Sequence, residues 1–515
     1  MRYKIINNLL YIIRLILAVF LLAFLFNDRS FDKIYFFGSE VLHKEFFTVF
    51  SVLFISCFIL YIIIAFKIMK YNTPAICVVI FILALLPRFL LMAGQLYTPT
   101  SDFKNYLSFG ENILFRRYDI VAAIINSYQM PKMCGLALLN GAIAYIFTPS
   151  LNGFITANIL MTSLICVMIF LLVKNINKNA GVIAGVLYAI YPSSIISSQI
   201  TTNHHGALLF MLIAVYVYQK GLVHINNKRC WLYVVLSAIC IVISNSFHQS
   251  MIILLISLFI YLLANIIACK DSRLNIIKMI LSFVFIVIIF IYGTDSIVKL
   301  CYKYGIIKSQ DEISILFKFA MGTDIESNGM YNDKYGSHEY KNMSQKNQRH
   351  TLLEAIKENF KKVDIKQFLY LLVDKTHTAW FTPDSYIVCW YRDAESIIFS
   401  KIINEGLLTY ELALHMNKES FAIYEAAHLD MLYVQWIYLF GAIGLFIKRK
   451  IPINSSINIL LFISIGWIIY IALTEMQTRY RYIAMPAFFM LSAVGIVEVI
   501  TKIINFYINK IKEGR

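Results

Sequence analysis

Charged residues are scarce in this sequence: Asp, Glu, Lys and Arg make up only 15% of its 515 residues, whereas 59% are apolar. Apolar runs of about 20 residues recur along most of the chain, and that is the length an α-helix needs to cross a bilayer. Lipid forces each spanning segment to satisfy its own backbone polar groups. The composition therefore predicts an all-α, polytopic membrane protein and argues against a soluble globular one.

Acidic residues are fewer than basic ones, with 30 Asp and Glu against 46 Lys and Arg. In a soluble chain this surplus would favour nucleic acid as a partner. In a membrane protein it favours short cytoplasmic loops beside anionic lipid, so we expect membrane lipid and no nucleic acid among the partners. The nine cysteines include no CxxC pair and lie mostly inside apolar runs. They predict neither a metal site nor a disulfide framework.

About twelve apolar stretches are predicted to span the membrane. The first follows basic residues without a small-residue cleavage pattern, so we expect a retained helix rather than a removed signal peptide. With both termini cytoplasmic, the short basic loops stay inside, as the positive-inside rule requires. The predicted spans are 9–26, 46–66, 75–96, 151–173, 180–198, 206–220, 230–247, 249–268, 276–293, 430–447, 457–474 and 483–503.

The apolar stretch 133–149 is predicted not to cross the membrane. A crossing there would invert every later loop and put the basic run 448–450 on the wrong face. Because Pro131 and Pro149 flank this stretch, we predict a half-helix or interfacial element inside the first outer loop, 97–150.

The predicted organisation has four parts. An extracytoplasmic domain, α-rich or mixed, takes up the one long polar stretch, and within it 311–318 and 351–362 have helical patterns while 322–332 reads as loop and turn. The four parts are an N-terminal transmembrane hairpin at 1–73, a transmembrane core at 74–293, the extracytoplasmic domain at 294–429 and C-terminal transmembrane helices at 430–515.

Asp102 stands just beyond an apolar run, at the start of the first outer loop. Tyr106, Phe109 and Ile113 recur after it at helical spacing, which predicts a surface helix with Ser101 or Asp102 as its N-cap. An isolated Arg88 within its helix would cost up to about 2.5 to 3.5 kcal/mol. We therefore expect Arg88 to pair with Asp102, Glu475 or a lipid phosphate. The alternatives are a purely capping Asp102 and a snorkelling or structurally paired Arg88.

Three short motifs occur in order along the chain. The first contains Arg88, Ser101-Asp102, Tyr106 and Gly110; the second is Tyr191-Pro192; the third is 475–486, where an acidic residue precedes an Arg-Tyr pair and a proline. This order resembles the GT-C membrane glycosyltransferases, a class that includes the dolichyl-phosphate-mannose protein mannosyltransferases and the bacterial aminoarabinose transferases of lipid A. The resemblance covers roughly 75–505 and implies a GT-C-like fold in a bacterial member.

The resemblance implies an inverting transfer of a sugar from a polyprenyl-phosphate-linked donor to an acceptor hydroxyl outside the cytoplasmic membrane. One carboxylate suffices, because a departing phosphate needs no protonation. The implied catalytic base is Asp102. Guanidinium groups suit the donor phosphate, and the implied donor-binding residues are Arg88, Arg479, Tyr480 and Arg481. The implied substrate-binding residues are Lys104, Tyr106, His204, His205 and Glu475.

The short outer loop 198–206 departs from the family pattern. Many members carry an acidic residue that helps hold a metal or an acceptor near the position of Asn203 to His205, where this chain has an amide and two imidazoles. We therefore expect no cofactor, with a divalent metal at His204 or His205 as the alternative. The sequence does not identify the acceptor, which is a cell-envelope glycan, lipid or protein.

Two other functions compete with transfer. A flippase or transporter for lipid-linked glycans would also use a helical bundle with outer arginines, but it should show midplane charges and internal repeats. Arg14 and Arg88 are nearly the only such charges, and no repeat is evident. A polymerase or ligase for lipid-linked glycans would equally use a large basic outer loop, yet it has no evident need for Asp102.

Overall fold

The computed structural model describes twenty α-helices and two 3₁₀ segments, and no β-strand occurs in the described part of the chain. The all-α prediction is thus confirmed for these residues. The described residues are 2–25, 43–93, 99–268, 273–310, 312–331, 333–336, 343, 345–382, 386, 421–447, 451–453 and 455–513. The helices are α1 Arg2–Leu25, α2 His43–Ile68, α3 Thr73–Ala93, α4 Ser101–Leu114, α5 Tyr118–Tyr128, α6 Met133–Phe147, α7 Leu151–Val173, α8 Lys178–Ala189, α9 Pro192–Ser197, α10 His204–Val223, α11 Arg229–Phe247, α12 Ile252–Ala268, α13 Arg273–Lys303, α14 Leu316–Thr323, α15 Asp333–Gly336, α16 Gln345–Lys362, α17 Ile365–Phe381, α18 Phe421–Ile447, α19 Ser456–Leu473 and α20 Met485–Glu513.

Within the described residues, ten segments are long and apolar enough to cross a membrane, as expected of a multi-pass membrane protein. They lie on α1, α3, α7, α10, α11, α12, α13, α18, α19 and α20. Each coincides with a predicted span. The other two predicted spans are not among the ten. The first, 46–66, lies on α2, of which only the shorter stretch Ile55–Ile68 is counted as apolar. The stretch 180–198 is not one helix, so the count of twelve is not confirmed.

The chain breaks between α8 and α9, in the middle of predicted span 180–198. Proline lacks a backbone N–H and cannot continue a helix, and Pro192 is the first residue of α9. The break leaves carbonyl groups at the end of α8 without helical partners. Arg88 donates to one of these carbonyl groups: its Nη1 lies 2.9 Å from Ala189 O. Nη1 also donates to Ala84 O at 2.7 Å, and Nη2 donates to Ser194 Oγ at 2.8 Å.

Arg88 therefore does not pair with Asp102 or Glu475, two of the partners expected from the sequence. Neither Asp102 nor Glu475 accepts one of these hydrogen bonds, and the guanidinium is fully buried. Its positive charge lies at the C-terminal end of α8, where the helix dipole is negative. The structure thus supports the alternative in which Arg88 is paired structurally.

Asp430 accepts hydrogen bonds from the beginning of α9, on the other side of the break. Its Oδ1 accepts from Ser193 N at 2.9 Å and from Ser193 Oγ at 2.6 Å, at the beginning of α9. Its Oδ2 lies 3.3 Å from Arg481 Nη2, and the two side chains are 0% and 1% exposed. Asp430 and Arg481 therefore connect α9, α18 and the 3₁₀ segment Thr478–Ile483.

The described part of 97–150, the segment predicted as the first outer loop, forms α4, α5 and α6. The stretch predicted not to cross becomes α6, a helix of 15 residues that falls outside the ten candidate spans. α4 packs closely on α6, because a Cβ on Gly110 would lie only 2.8 Å from Asn140 O. The Asn140 side chain donates to Tyr106 O at 2.9 Å. These contacts fix the helix that carries Asp102.

The predicted extracytoplasmic domain is described only in part, since 387–420 lie outside the described residues. α13 runs ten residues past its predicted end at 293, with an Asp295–Lys299 ion pair at 2.6 Å in its last turns, before Gly305 adopts a positive φ of 73°. α14 begins at Leu316, later than predicted, while α16 contains the predicted helix 351–362. A small apolar cluster joins them, made of Ile313, Phe317, Ala320, Met321, Tyr335 and Leu352.

Removing the Asp430 carboxylate should destabilise the bundle, because the Arg481 guanidinium then stays buried without its opposite charge. We expect Asp430→Ala to lower the free energy of unfolding by about 3 to 5 kcal/mol, measured by denaturant titration in detergent. Asp295→Ala is the matched control, since the Asp295–Lys299 pair is exposed and a solvent-screened pair contributes little to stability. Equally small losses in both variants would contradict this account of the break.

Candidate functional site

A cavity of about 690 Å³ opens between α4, the beginning of α10, α14 and the segment 475–480. Six of the residues predicted from the sequence line it: Asp102, Tyr106, His204, Glu475, Arg479 and Tyr480. Four do not: Arg88, Lys104, His205 and Arg481. The fold thus brings residues from distant parts of the chain to one place, and it separates Asp102 and Arg479 from Arg88 and Arg481.

Asp102 does not cap its helix. The N-cap is Thr100, and Asp102 lies in the first turn of α4, after Ser101 with its positive φ of 48°. The carboxylate instead faces the cavity. Its Oδ1 accepts from the Tyr128 hydroxyl at 2.8 Å, and Asn105 Nδ2 donates to that hydroxyl at 2.7 Å. Burial, with the Asp102 charge, raises the pKa of Tyr128 to about 12, so this phenol stays a neutral donor.

Arg479 faces the other carboxylate oxygen. Its Nη2 lies 3.4 Å from Asp102 Oδ2, and its guanidinium carbon lies 5.4 Å from the centre of the Phe103 ring. The 3.4 Å separation is long for a charge-assisted hydrogen bond, which is usually about 2.7 to 2.9 Å. Both side chains are partly exposed, at 31% for Asp102 and 20% for Arg479. The pair is therefore loose and open to a third group.

Arg481 does not share a face with Arg479. In an extended segment the two side chains would lie on the same side, but 478–483 is a 3₁₀ helix. With three residues per turn, side chains two positions apart point about 120° from each other. Arg481 Nη1 donates to Thr382 O at 2.6 Å and to Trp380 O at 3.2 Å, deep in the bundle.

Lys318 is a cation of the cavity that the sequence reasoning missed. It lies on α14, and its Nζ is 5.5 Å from the centre of the Tyr480 ring. Burial by itself lowers the pKa of Lys318, but the Tyr480 and Tyr470 hydroxyls and the Glu475 carboxylate raise it overall, so the group stays an ammonium. The sequence feature that could have indicated Lys318 is its position as a single lysine inside the apolar stretch 315–323.

Glu475 lies opposite these cations and is held in place. Its Oε2 accepts from the Tyr480 hydroxyl at 3.4 Å, and its Oε1 accepts from Gln477 Nε2. Burial raises the pKa of Tyr480 to about 12, so this phenol is also neutral. Glu475 is therefore a fixed negative charge that partly balances Lys318.

His204 and His205 are neighbours in the sequence, but only His204 lines the cavity. His204 lines the cavity, bonds through Nδ1 to the Tyr386 hydroxyl, and has its ring centre 4.8 Å from that of His248, which also lines the cavity. His205 is fully buried, with Nδ1 3.0 Å from the Tyr482 hydroxyl and Nε2 2.8 Å from Ser197 O. Across the described ranges, no group of three or more His, Cys, Asp or Glu side chains could hold a metal ion.

Lys375 fixes the rim of the cavity. Its Nζ, fully buried, donates to Gly322 O at 2.8 Å, Ala472 O at 2.8 Å and Thr474 O at 2.7 Å. Beside it, Met476 N donates to Gly329 O at 2.8 Å. The end of α14, which carries Lys318, is thereby tied to the loop that carries Glu475.

Comparisons with known proteins give only remote similarity. No family model and no curated protein matches the chain. Among solved structures, the Archaeoglobus fulgidus oligosaccharyltransferase in its apo form is 13% identical, with 86% of this chain covering 52% of that chain and a TM-score of 0.46. The archaeal oligosaccharyltransferase AglB from A. fulgidus, in complex with an inhibitory peptide and a dolichol-phosphate, is 14% identical over the same shares, with a TM-score of 0.44.

A third structure, the A. fulgidus oligosaccharyltransferase tethered to an acceptor peptide containing the NVT sequon, is 12% identical, with 84% of this chain covering 50% of that chain and a TM-score of 0.43. The chain spans about half the length of these proteins. All three scores lie below 0.5, so we draw no conclusion from the similarity.

Replacing Lys375 should loosen the rim without unfolding the bundle. In Lys375→Met, three buried carbonyl groups lose their donor, so amide hydrogens in 322–331 and 474–477 should exchange faster by hydrogen–deuterium exchange mass spectrometry. Lys366→Met, on the exposed side of the same helix, is the matched control and should leave both segments unchanged. Unchanged exchange in Lys375→Met would show that the lysine does not hold the rim.

Proposed function

We propose that this chain is a membrane glycosyltransferase of the GT-C type. It transfers a sugar from a polyprenyl-phosphate-linked donor to an acceptor hydroxyl, with inversion, on the outer face of the cytoplasmic membrane. One observation carries the proposal: an accessible carboxylate, Asp102, and two cations, Arg479 and Lys318, line the same cavity. A base and an anion site are the two elements that sugar transfer from a phosphate requires.

Asp102 acts as the general base. Tyr128 and Arg479 each approach one carboxylate oxygen, and each oxygen keeps further lone-pair capacity for an acceptor hydroxyl. The Tyr128 bond orients the carboxylate without protonating it, because the raised pKa of Tyr128, about 12, keeps the proton on the phenol. As the acceptor oxygen attacks the anomeric carbon, its proton passes to Asp102. Such proton transfer contributes about a hundredfold to ten-thousandfold to the rate.

Arg479 and Lys318 bind the donor phosphate. The phosphate gains negative charge as its bond to the sugar breaks, and cations fixed in advance stabilise that charge most strongly in the transition state. Arg479 and Asp102 both line the cavity, so a bound phosphate competes with Asp102 for the guanidinium. Donor binding therefore draws Arg479 away from the carboxylate and makes Asp102 a stronger base.

No second acid is needed in this scheme, since phosphate leaves as an anion. Glu475, held by Tyr480 and Gln477, keeps Lys318 positioned. Tyr106 and Tyr480 present aromatic surfaces against which a sugar ring can pack. We assign no cofactor, and we take the acceptor to be a cell-envelope glycan, lipid or protein.

Asp102→Asn should abolish transfer while leaving the fold intact, because the amide keeps the shape but cannot accept the proton. We expect a loss of about a hundredfold or more in kcat, measured with purified protein, a polyprenyl-phosphate sugar and membrane extracts as acceptors. Glu111→Gln is the matched control on the same helix; its carboxylate lies outside the cavity, 3.7 Å from Arg117. Full turnover by Asp102→Asn would rule out the base assignment.

Neutral replacements of the two cations should weaken donor binding. Arg479→Gln and Lys318→Met should each raise the donor concentration for half-maximal rate about tenfold or more, as expected for the loss of one charged hydrogen bond. Lys104→Met is the control, because Lys104 is exposed and does not line the cavity. The same steady-state assay checks this, and a larger effect at Lys104 than at Lys318 would contradict the assignment of the phosphate site.

A further inference from the structure

A second cavity, of about 470 Å³, lies at the other end of the helical bundle from Asp102. Both cavities touch α10: His204, its first residue, lines the cavity beside Asp102, whereas Lys220 and Val223, in its last turn, line the second cavity. The helix has 20 residues and is therefore about 30 Å long, which matches the thickness of the hydrocarbon core of a bilayer. The two cavities thus lie near opposite faces of the membrane.

The surroundings of the second cavity are positively charged. In the described part of the chain, no Asp or Glu lines it. Most of its lining residues come from two stretches of sequence, 120–270 and 431–474, and neither stretch contains an acidic residue. The basic residues of the first stretch at this end of the bundle are Lys174, Lys178, Lys220, Lys228 and Arg229. Such a charge distribution attracts an anion.

Lys220 is the cation in the wall of the second cavity. Its Nζ lies 5.7 Å from the centre of the Tyr216 ring, which lines the same cavity. Among the residues that the structure describes, no carboxylate forms an ion pair with Lys220. The Asn175 and Gln219 amides and the Tyr216 hydroxyl line the cavity with it. Ammonium, amide and hydroxyl groups are the donors that phosphate oxygens accept from.

Arg14 is a second cation and lies behind the wall of the second cavity. It is fully buried on α1, and its Nη2 donates to Asn458 Oδ1 at 2.6 Å. Asn458 Nδ2 donates at 2.9 Å to the carbonyl group of Pro452, which lines the cavity. Within the described ranges, Arg14 Nε and Nη1 have no hydrogen-bond partner, and no carboxylate pairs with this guanidinium. A buried charge without a counter-charge is costly, so an anion in the cavity would lower its cost.

The remaining wall of the second cavity is apolar and continues to the outside of the bundle. Leu222, Val223 and Met279 belong to this wall, and the Val223 side chain is 75% exposed. Leu274 and Ile277, on α13 beside Met279, are also exposed. In a membrane these side chains face lipid. A free ion would use only the polar wall, whereas a lipid would use both.

We propose that the second cavity binds the phosphate group of an anionic membrane lipid, with Lys220 as its charged ligand. The acyl chains lie along Val223 and the exposed apolar side chains of α13. Basic pockets between membrane helices bind anionic lipid headgroups in this way. The site goes beyond the proposed function and does not rest on it, because it lies at the opposite end of α10 from Asp102.

Native mass spectrometry of the full-length, delipidated protein tests the site. The probes are phosphatidylglycerol, whose headgroup carries a net negative charge, and phosphatidylcholine, whose headgroup is zwitterionic. We expect one phosphatidylglycerol to bind at least about tenfold more tightly than phosphatidylcholine. Lys220→Gln should lower its affinity about tenfold, as expected for the loss of one charged hydrogen bond, and Lys220→Arg should retain it.

Lys228→Gln is the matched control, because it removes the same charge from an exposed lysine at the same end of the bundle that does not line the cavity. It should leave the affinity for phosphatidylglycerol unchanged. Equal affinities for the two lipids, or equal losses in Lys220→Gln and Lys228→Gln, would overturn the proposal, since the attraction would then be that of any basic surface.

Two further measurements identify the ligand and its place. Inorganic phosphate at the concentration of the lipid should not displace phosphatidylglycerol; displacement would assign the cavity to free phosphate and overturn the lipid. Since Arg479 and Lys318 could also attract an anionic headgroup, phosphatidylglycerol with a photoreactive headgroup is crosslinked to the protein and the modified peptides are mapped. We expect crosslinks in 175–176, 216–225 or 452–456. Crosslinks confined to the cavity beside Asp102 would overturn the proposal.

Discussion

The break between α8 and α9 is the constraint on which the rest of the structure depends. A helix interrupted inside an apolar bundle exposes backbone groups that neither lipid nor side-chain carbon can satisfy. Arg88 supplies donors at the end of α8, and Asp430 supplies an acceptor at the beginning of α9. Asp430 also holds Arg481, and that ion pair anchors the 3₁₀ segment 478–483. The direction of Arg479, two residues earlier, follows from this anchor.

Burial separates two sets of charged residues that have different roles. Arg88, Arg481, Asp430 and Lys375 are fully buried, and their hydrogen bonds go to backbone groups, to serine hydroxyls, or to one another. Asp102, Arg479 and Lys318 are partly exposed and face the cavity. A fully buried charge that is hydrogen-bonded within the protein has little left to offer a substrate. The proposed chemistry therefore rests on the second group, while the first group holds the second in position.

The sequence predicts much of this arrangement, because membrane-spanning helices follow from composition. Ten predicted spans, the short helix at 133–147 and the surface helix after Asp102 follow from apolar length, basic loops and helical spacing. Asp102, Glu475, Arg479 and Tyr480 were predicted as site residues, and the structure places all four on the cavity. Local pattern sufficed for these features.

The rest depends on packing that no local pattern records. The break at Pro192 was read as one continuous span because apolar residues flank it on both sides. The 3₁₀ geometry that separates Arg479 from Arg481 has no composition signal of its own. Lys318 joins the site only because α14 packs beside α4 and the segment 475–480. A structure of the protein with bound polyprenyl phosphate tests the central claim most directly. The account predicts the phosphate within hydrogen-bond distance of both Arg479 and Lys318, with Arg479 farther from Asp102 than 3.4 Å. A phosphate bound elsewhere, with the Asp102–Arg479 pair unchanged, would contradict it.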